Sequence, residues 1–316
     1  MVRITEAEKI EVVTLIDNYT DVLLSSFEKI KRSPHYRNGE IVPPLVAEHG
    51  LSLLIKVFAN GKAHSILFDA GWSKTGIIHN LNQMEINLRE IEGVVLSHGH
   101  MDHWGGLAGI LGLISLPIPV VVHPDVFLSQ RFLVLDNGEK IRFPILKEEI
   151  FAPTCARIIK NSVPYLIADG LILISGEIER KVAFEKGMSN AYVEREGKIE
   201  PDFMLDDQGL IIYLKNKGLV IITGCAHSGI INTIKYAQKL TGIDSVYAVI
   251  GGFHLGGPKF EPVISPTLTE LTQIKPEVIC PMHCTGFKAI MEIAKSMPNQ
   301  LLINSVGSTL VLDSGR

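Results

Sequence analysis

The chain has 316 residues, with 30 Lys and Arg against 34 Asp and Glu and a net charge of −4 at neutral pH, a balance that excludes a broadly basic nucleic-acid binder. Hydrophobic residues make up 46% and charged residues 20%, which excludes a disordered, collagen-like or heptad-repeat chain. A chain of this length buries enough surface for one large domain or two small ones.

The N-terminal stretch MVRITEAEKIEVVTLIDNYTD has no basic region followed by an apolar run and a small-residue cleavage site, so no secretory signal is expected and a cytoplasmic location is. Apolar runs predict strands at KIEVVTLID (9–17), GLSLLIKVF (50–58), HSILFDAG (64–71) and IEGVVLSHG (91–99). Residues Gly105 to Val122 carry no charge and on length alone border on a membrane span. Pro117 and Pro119 break that run, which reads as a glycine-punctuated helix (104–114) followed by the buried strand PIPVVVHP (117–124). From about Asp125 to Ile199 the pattern is less regular and more charged, apart from the strand-like LILISGE (171–177). This segment reads as an inserted lid or, equally, a solvated connector. Beyond it come GLIIYLKNKGLVIITGC (209–225), SVYAVIGGFH (245–254), PEVICPMHC (276–284) and STLVLDS (308–314) as strands. INTIKYAQKLTG (231–242), SPTLTELTQI (265–274) and TGFKAIMEIAKSM (285–297) read as helices. Strands alternating with helices imply an α/β fold with mixed strand directions. No internal repeat or Pro/Ser/Gly-rich linker divides the chain, so a single domain over 1–316 is expected. Cys155, Cys225, Cys280 and Cys284 form no CxxC pair, and reduced thiols are expected.

Ser97 to Gly106 reads SHGHMDHWGG, between an apolar strand and a helical pattern. Residues two apart in an extended segment project to one side, so His98 and His100 can converge on one ion. Asp102 and His103 are adjacent, and at a helix start their side chains diverge by about 100°, which suits two ions better than one. Gly105 and Gly106 allow the helix start to approach neighbouring backbone closely. His227 in GLVIITGCAHSG and His283 in PEVICPMHCTG each sit just past an apolar strand and before a helical pattern, the place where α/β sites assemble. Both are expected ligands. His254 in IGGFHLGG shares that setting, but its flanking glycines suit a tight substrate-facing loop equally well.

The HxHxDH motif followed by two glycines, with LFDAG (Leu67 to Gly71) upstream, resembles the metallo-β-lactamase superfamily, and the strand pattern extends that resemblance over nearly the whole chain. AEHGLSLLI (47–55), DDQGL (206–210), GCAHSGIIN (224–232), GGFHL (251–255) and HCTG (283–286) resemble a narrower group within it, that of the 7,8-dihydropterin-6-methyl-4-(β-D-ribofuranosyl)-aminobenzene-5'-phosphate synthases. The resemblance implies a four-layer αββα sandwich with a dinuclear metal site at one edge. It implies His98 and His100 on one ion, Asp102, His103 and His283 on the other, and His227 completing the set. Asp69 would orient a ligand histidine through its free ring N–H.

Where hydrolases of the superfamily usually place a bridging aspartate, this chain has Cys225, read either as a thiolate ligand or as a buried packing residue. Asp206 and Asp207 fall where a third histidine motif usually stands, as ligand, substrate contact or turn carboxylate. His49 points into the same cleft or makes a structural polar contact. The resemblance further implies two divalent ions, zinc from the histidine-rich donors with manganese or iron as alternatives, and a hydrolase or transferase acting on a small phosphorylated anion. In its most specific form the reaction condenses a dihydropterin diphosphate with an aminobenzene ribofuranosyl phosphate. Asp102, His254 and His49 are the candidate catalytic residues, the two histidines as proton carriers. A phosphodiesterase, an ester or lactone hydrolase, or a non-catalytic ligand-binding member are the alternatives. Neither nucleic acid nor membrane is an expected partner.

Overall fold

The structure, a computed structural model, describes residues 1–195 and 197–315. Two sheets carry the fold. The first has eight strands in the order Ala156–Lys160, Ile118–Val122, Gly93–Val95, Lys62–Phe68, Ser52–Ala59, Lys9–Ile16, Thr309–Asp313 and Ile30–Lys31. Its first four strands run parallel and the remainder pair antiparallel. The second sheet, of seven strands, runs Tyr165–Ile167, Ile172–Ile174, Gly209–Leu214, Gly218–Thr223, Val246–Gly252 and Val278–Met282, with Glu6–Ala7 added on Gly209–Leu214. Its last three strands are parallel.

The period-two geometry of a strand sends alternate residues to opposite faces, and here both faces are covered. Ile10, Val12, Leu53 and Ile55 from the first sheet meet Leu210, Ile212, Val220 and Ile222 from the second in a core between the sheets. The residues between them face outward. Val13, Leu54 and Leu67 pack on the helical residues Ile77, Leu81, Leu107 and Ile110, and Ile211, Ile221 and Val249 pack on Ile230, Ile234, Leu271 and Ile293. The helices are α1 (Lys74–Gln83), α2 (Met101–Trp104), α3 (Leu107–Leu111), α4 (Ile230–Thr241), α5 (Glu261–Ile274) and α6 (Phe287–Ser296). Helix, sheet, sheet and helix form the expected four-layer αββα sandwich. Burial on both faces explains why Gly218–Thr223, Val246–Gly252 and Val278–Met282, buried at every residue, read as continuous apolar runs rather than alternating ones.

Two segments differ from the reading of the sequence. GLIIYLKNKGLVIITGC is two strands, reversed at Asn216, whose φ of +59° a short polar side chain tolerates. The segment 125–199 is not one insertion. Ala156–Lys160 extends the first sheet, Tyr165–Ile167 and Ile172–Ile174 extend the second, and Gln130–Val134, Lys140–Arg142 and Ala191–Arg195 join Lys198–Pro201 in a separate four-stranded antiparallel sheet. Its strands span only three to five residues, too few for a period to register. The uncharged run 105–122 begins just past α2 and is shared between α3 and Ile118–Val122. Among the described residues no helix is long and apolar enough to cross a membrane, and all four cysteines are free.

Candidate metal centre

Strand ends bring the polar residues together. Asp69 follows Lys62–Phe68, the SHGHMDH loop follows Gly93–Val95, Cys225 and His227 follow Gly218–Thr223, His254 follows Val246–Gly252 and His283 follows Val278–Met282. All leave the C-terminal ends of their strands, along one edge of the sandwich. Asp69, Ala226, His254 and His283 sit at φ of +61°, +55°, +47° and +47°, and left-handed backbone at non-glycine residues is a cost that surrounding structure must sustain. Glycines allow the loops to close. A Cβ on Gly105 would lie 1.9 Å from the Trp72 carbonyl oxygen, and one on Gly224 would lie 2.1 Å from Ser97 Oγ.

His98, His100 and His227 form a first donor group, with ligand atoms within 4.8 Å of one another. His98 Nε2 and His227 Nε2 face each other at 3.2 Å, and Ser97 Oγ lies 2.9 Å from His98 Nδ1. Nε2 of His100 is buried without a hydrogen-bond partner. Burial disfavours charge on all three rings. It lowers His98 and His227 well below the usual histidine value, and with the nearby Arg131 guanidinium it takes His100 down to about 3. Three buried neutral imidazoles facing one another fit a cation, which is what their lone pairs lack.

The second group is mixed. His103 Nδ1 lies 2.6 Å from Asp69 Oδ2, which leaves Nε2 facing inward, 3.2 Å from Cys225 Sγ and 3.7 Å from Asp102 Oδ2. The same Asp102 oxygen stands 3.2 Å from His283 Nε2 and 3.6 Å from His49 Nε2. Asp69 also accepts the Ser97 N–H and hydroxyl at 2.7 and 2.6 Å. Asn18 Oδ1 sits 2.9 Å from His283 Nδ1, Asn18 Nδ2 sits 3.2 Å from His49 Nδ1, and the His283 N–H donates to Asp17 Oδ1 at 2.8 Å. Burial opposes charge on His103, but Asp69 and Asp102 outweigh it and hold the imidazole up at about 9. Asp102 is likewise buried, yet His103 and His283 keep its carboxyl well below the usual range. Although adjacent positions on a helix diverge, Asp102 Oδ2 and His103 Nε2 come within 3.7 Å of each other and face the same group, His103 next to Cys225 and Asp102 next to His283.

Cys225 stands between the two groups, grouped with His98 and His103, with His227 and His254, and with His283 and Cys284. Burial pushes its thiol up. His254 lies beyond His227, the ring centroids 4.2 Å apart, and His49 lies at the exposed rim, its side chain 61% accessible.

Asp206 and Asp207 stand outside both groups and hold the loops that carry them. Asp206 accepts both Arg131 terminal nitrogens, at 2.8 and 2.6 Å, and the Gly99 N–H at 2.7 Å, so it fixes the backbone between His98 and His100. Asp207 accepts the Ser228 N–H at 2.7 Å, next to His227. Arg131 belongs to the small sheet, where its Nε also stands 3.0 Å from Asp202 Oδ2, so its pairing with Asp206 ties that sheet to the first histidine loop. Arg131, Asp202, Asp17, Asn18 and Cys284 were not singled out by sequence. Cys284 adjoins His283 and Asn18 ends an apolar run, the only local signals they carry.

Residues 46–283 match the family described as the Metallo-beta-lactamase superfamily. A 7,8-dihydropterin-6-methyl-4-(beta-D-ribofuranosyl)-aminobenzene-5'-phosphate synthase of Methanocaldococcus jannaschii is 38% identical over 254 residues, covering 78% of this chain and 84% of the relative. An uncharacterized protein of the same organism, MJ0448, is 35% identical over 271 residues, covering 84% and 93%. Among solved structures, that of Tm1679, titled a metal-dependent hydrolase of the beta-lactamase superfamily, has a TM-score of 0.71 at 23% identity and covers 96% of this chain and 99% of its own, a likeness of fold.

Proposed function

This chain belongs to the metallo-beta-lactamase superfamily, a fold family that implies divalent metal binding, and on that premise we propose that it is a two-metal enzyme acting on a small phosphorylated substrate. In its specific form the reaction condenses a dihydropterin diphosphate with an aminobenzene ribofuranosyl phosphate. His98, His100 and His227 would hold one ion, and Asp102, His103 and His283, with Cys225 between the groups, the other. Zinc suits this nitrogen, oxygen and sulfur donor set. Bound divalent ions supply Lewis acidity toward anionic oxygens.

The chain's own residues do the rest. Asp69 and Asn18 fix which ring nitrogen of His103 and His283 faces inward, and Asp206 and Asp207 hold the loop backbones. In the condensation, a nitrogen–carbon bond forms at the arylamine as the carbon–oxygen bond to the diphosphate breaks, and the amine gives up a proton. We assign to His49 the transfer of that proton to solvent, a role supported by one ring nitrogen 3.6 Å from Asp102 and a largely exposed side chain. The observation that carries the proposal is the convergence of two differently charged donor groups at one sheet edge, in a chain 38% identical to a protein named as this synthase.

The test combines elemental mass spectrometry of protein purified without added metal or chelator with incubation in both substrates. About two ions per chain, and a condensed product formed one for one with pyrophosphate, are expected. Phosphate release from the diphosphate with no arylamine incorporated would replace the synthase by a hydrolase of the same fold.

A further inference from the structure

Beside the first donor group, between residues 184–190 and 253–263, lies a cavity of about 240 Å³. His227 forms part of its wall, so donor group and cavity share a side chain. A row of rings leads from one to the other, with centroid separations of 4.7 Å from His98 to His227, 4.2 Å from His227 to His254 and 4.5 Å from His254 to Phe260. Phe184 and Phe260 line the cavity, each only partly covered by the protein's own packing. Lys186 and Lys259 line it as well, and both are exposed. Lys259 Nζ has a 3.4 Å contact with Asp136, itself almost fully exposed, and a solvated pair of that kind yields readily to another anion. The one acid in the lining, Glu185, is already engaged. Its oxygens accept the Ile231 and Asn232 N–H groups at 2.8 and 2.7 Å, so it pins this wall to α4 instead of opposing an anion.

Aromatic side chains, two exposed lysines and a histidine shared with the metal-donor cluster in one lining suit an aromatic group that carries an anion. We propose that this cavity is the subsite for the aromatic ring of an aryl or heteroaryl phosphate, packed against Phe260 and Phe184, with Lys186 and Lys259 drawing in its anionic end. The proposal rests on the metal-enzyme reading, which already calls for aromatic phosphates, and assigns the residues that seat their ring. A cavity of this size accommodates a group of one or two rings, and an aromatic face rewards a ring over an aliphatic chain of equal area.

The test uses zinc-loaded full-length protein and two probes, 1-naphthyl phosphate and inorganic phosphate, titrated calorimetrically. Naphthyl phosphate is expected to bind at least about tenfold more tightly, and Phe260→Ala to abolish that preference while leaving phosphate affinity and zinc content unchanged. Phe260→Leu, which keeps the volume, is expected to retain part of the preference and controls for misfolding. Lys259→Glu is expected to weaken both probes. Equal affinity for the two probes, or a preference that survives Phe260→Ala, overturns the subsite while the metal reading stands. If the protein takes up no zinc and yet binds naphthyl phosphate through Phe260, the metal reading fails and the subsite stands.

Discussion

The two donor groups touch at Cys225 but keep their histidines in place by opposite means. In the first, His98, His100 and His227 are buried among other rings and held neutral by desolvation; the backbone around them is fixed from outside, through Arg131, Asp206 and Asp207. In the second, each imidazole has a polar partner on its outer nitrogen, Asp69 for His103 and Asn18 for His283, with the Asp102 carboxylate among the inner ones. One group is positioned mainly by loop anchors, with Ser97 Oγ on the outer nitrogen of His98, and carries no charge. The other is positioned ring by ring and brings negative charge of its own. The consequence is different sensitivity to mutation, to pH and to the softness of the ion.

Deleting the charge that defines the second group should have the largest effect. Asp102→Ala should lower turnover by about a thousandfold or more and reduce metal content from about two ions to about one, with an unchanged far-ultraviolet circular dichroism spectrum. Turnover within tenfold of wild type would erase the distinction between the groups. The anchor of the first group is next. Arg131→Ala strands Asp206 and Asp202, which are buried, and should destabilise the fold by about 3–5 kcal/mol in urea unfolding; an effect confined to metal affinity would show that the pair serves the loop alone. Asp69→Asn removes the charge behind His103 while tolerating the left-handed backbone at that position. It should weaken metal binding in the second group by about 10- to 100-fold and leave the first intact, as read by competition with a chromophoric chelator.

The same competition, run against pH, sharpens the contrast. His103 is held at about 9, so an ion entering the second group must displace its proton, and affinity there should rise with pH by up to about tenfold per unit until about pH 9. His100, held at about 3, is already neutral, and the first group should respond little over that range. Asp69→Asn should flatten the slope of the second. The smallest expected change is that of Cys225→Ser, a few-fold loss in zinc affinity with loss of the sulfur-to-metal charge-transfer band after cobalt substitution. An unaltered band would return Cys225 to a packing role.

How much of this was legible depended on the length scale of each interaction. The α/β alternation was legible because doubly covered strands must be apolar throughout, as in GLVIIT and VICPM, whereas the four layers were implied by the resemblance that HxHxDH and LFDAG carry. His98, His100, Asp102 and His103 were legible because they share one strand-to-helix corner, and His227 and His283 because they repeat its context. The pairing of Arg131 with Asp206 was not, since 75 residues separate them and neither has a local pattern. Nor was that of Asn18 with His283, 265 residues apart. Asp206 and Asp207 were noticed for their position in the chain, but whether they face the donors or support them is a matter of orientation.

The sequence by itself determined the α/β alternation, the edge at which its loops gather and the kinds of donor atom available there, because periodicity and residue chemistry are local properties; the sandwich followed from the family resemblance of its motifs. The family resemblance implied the division of those donors into two sets, and tertiary structure alone decided that one set is neutral and the other charged. Tertiary structure also decided which carboxylates face inward, and that a lysine-rimmed aromatic cavity adjoins His227. Burial and proximity set those outcomes, and both arise only when strands distant in the chain are packed side by side.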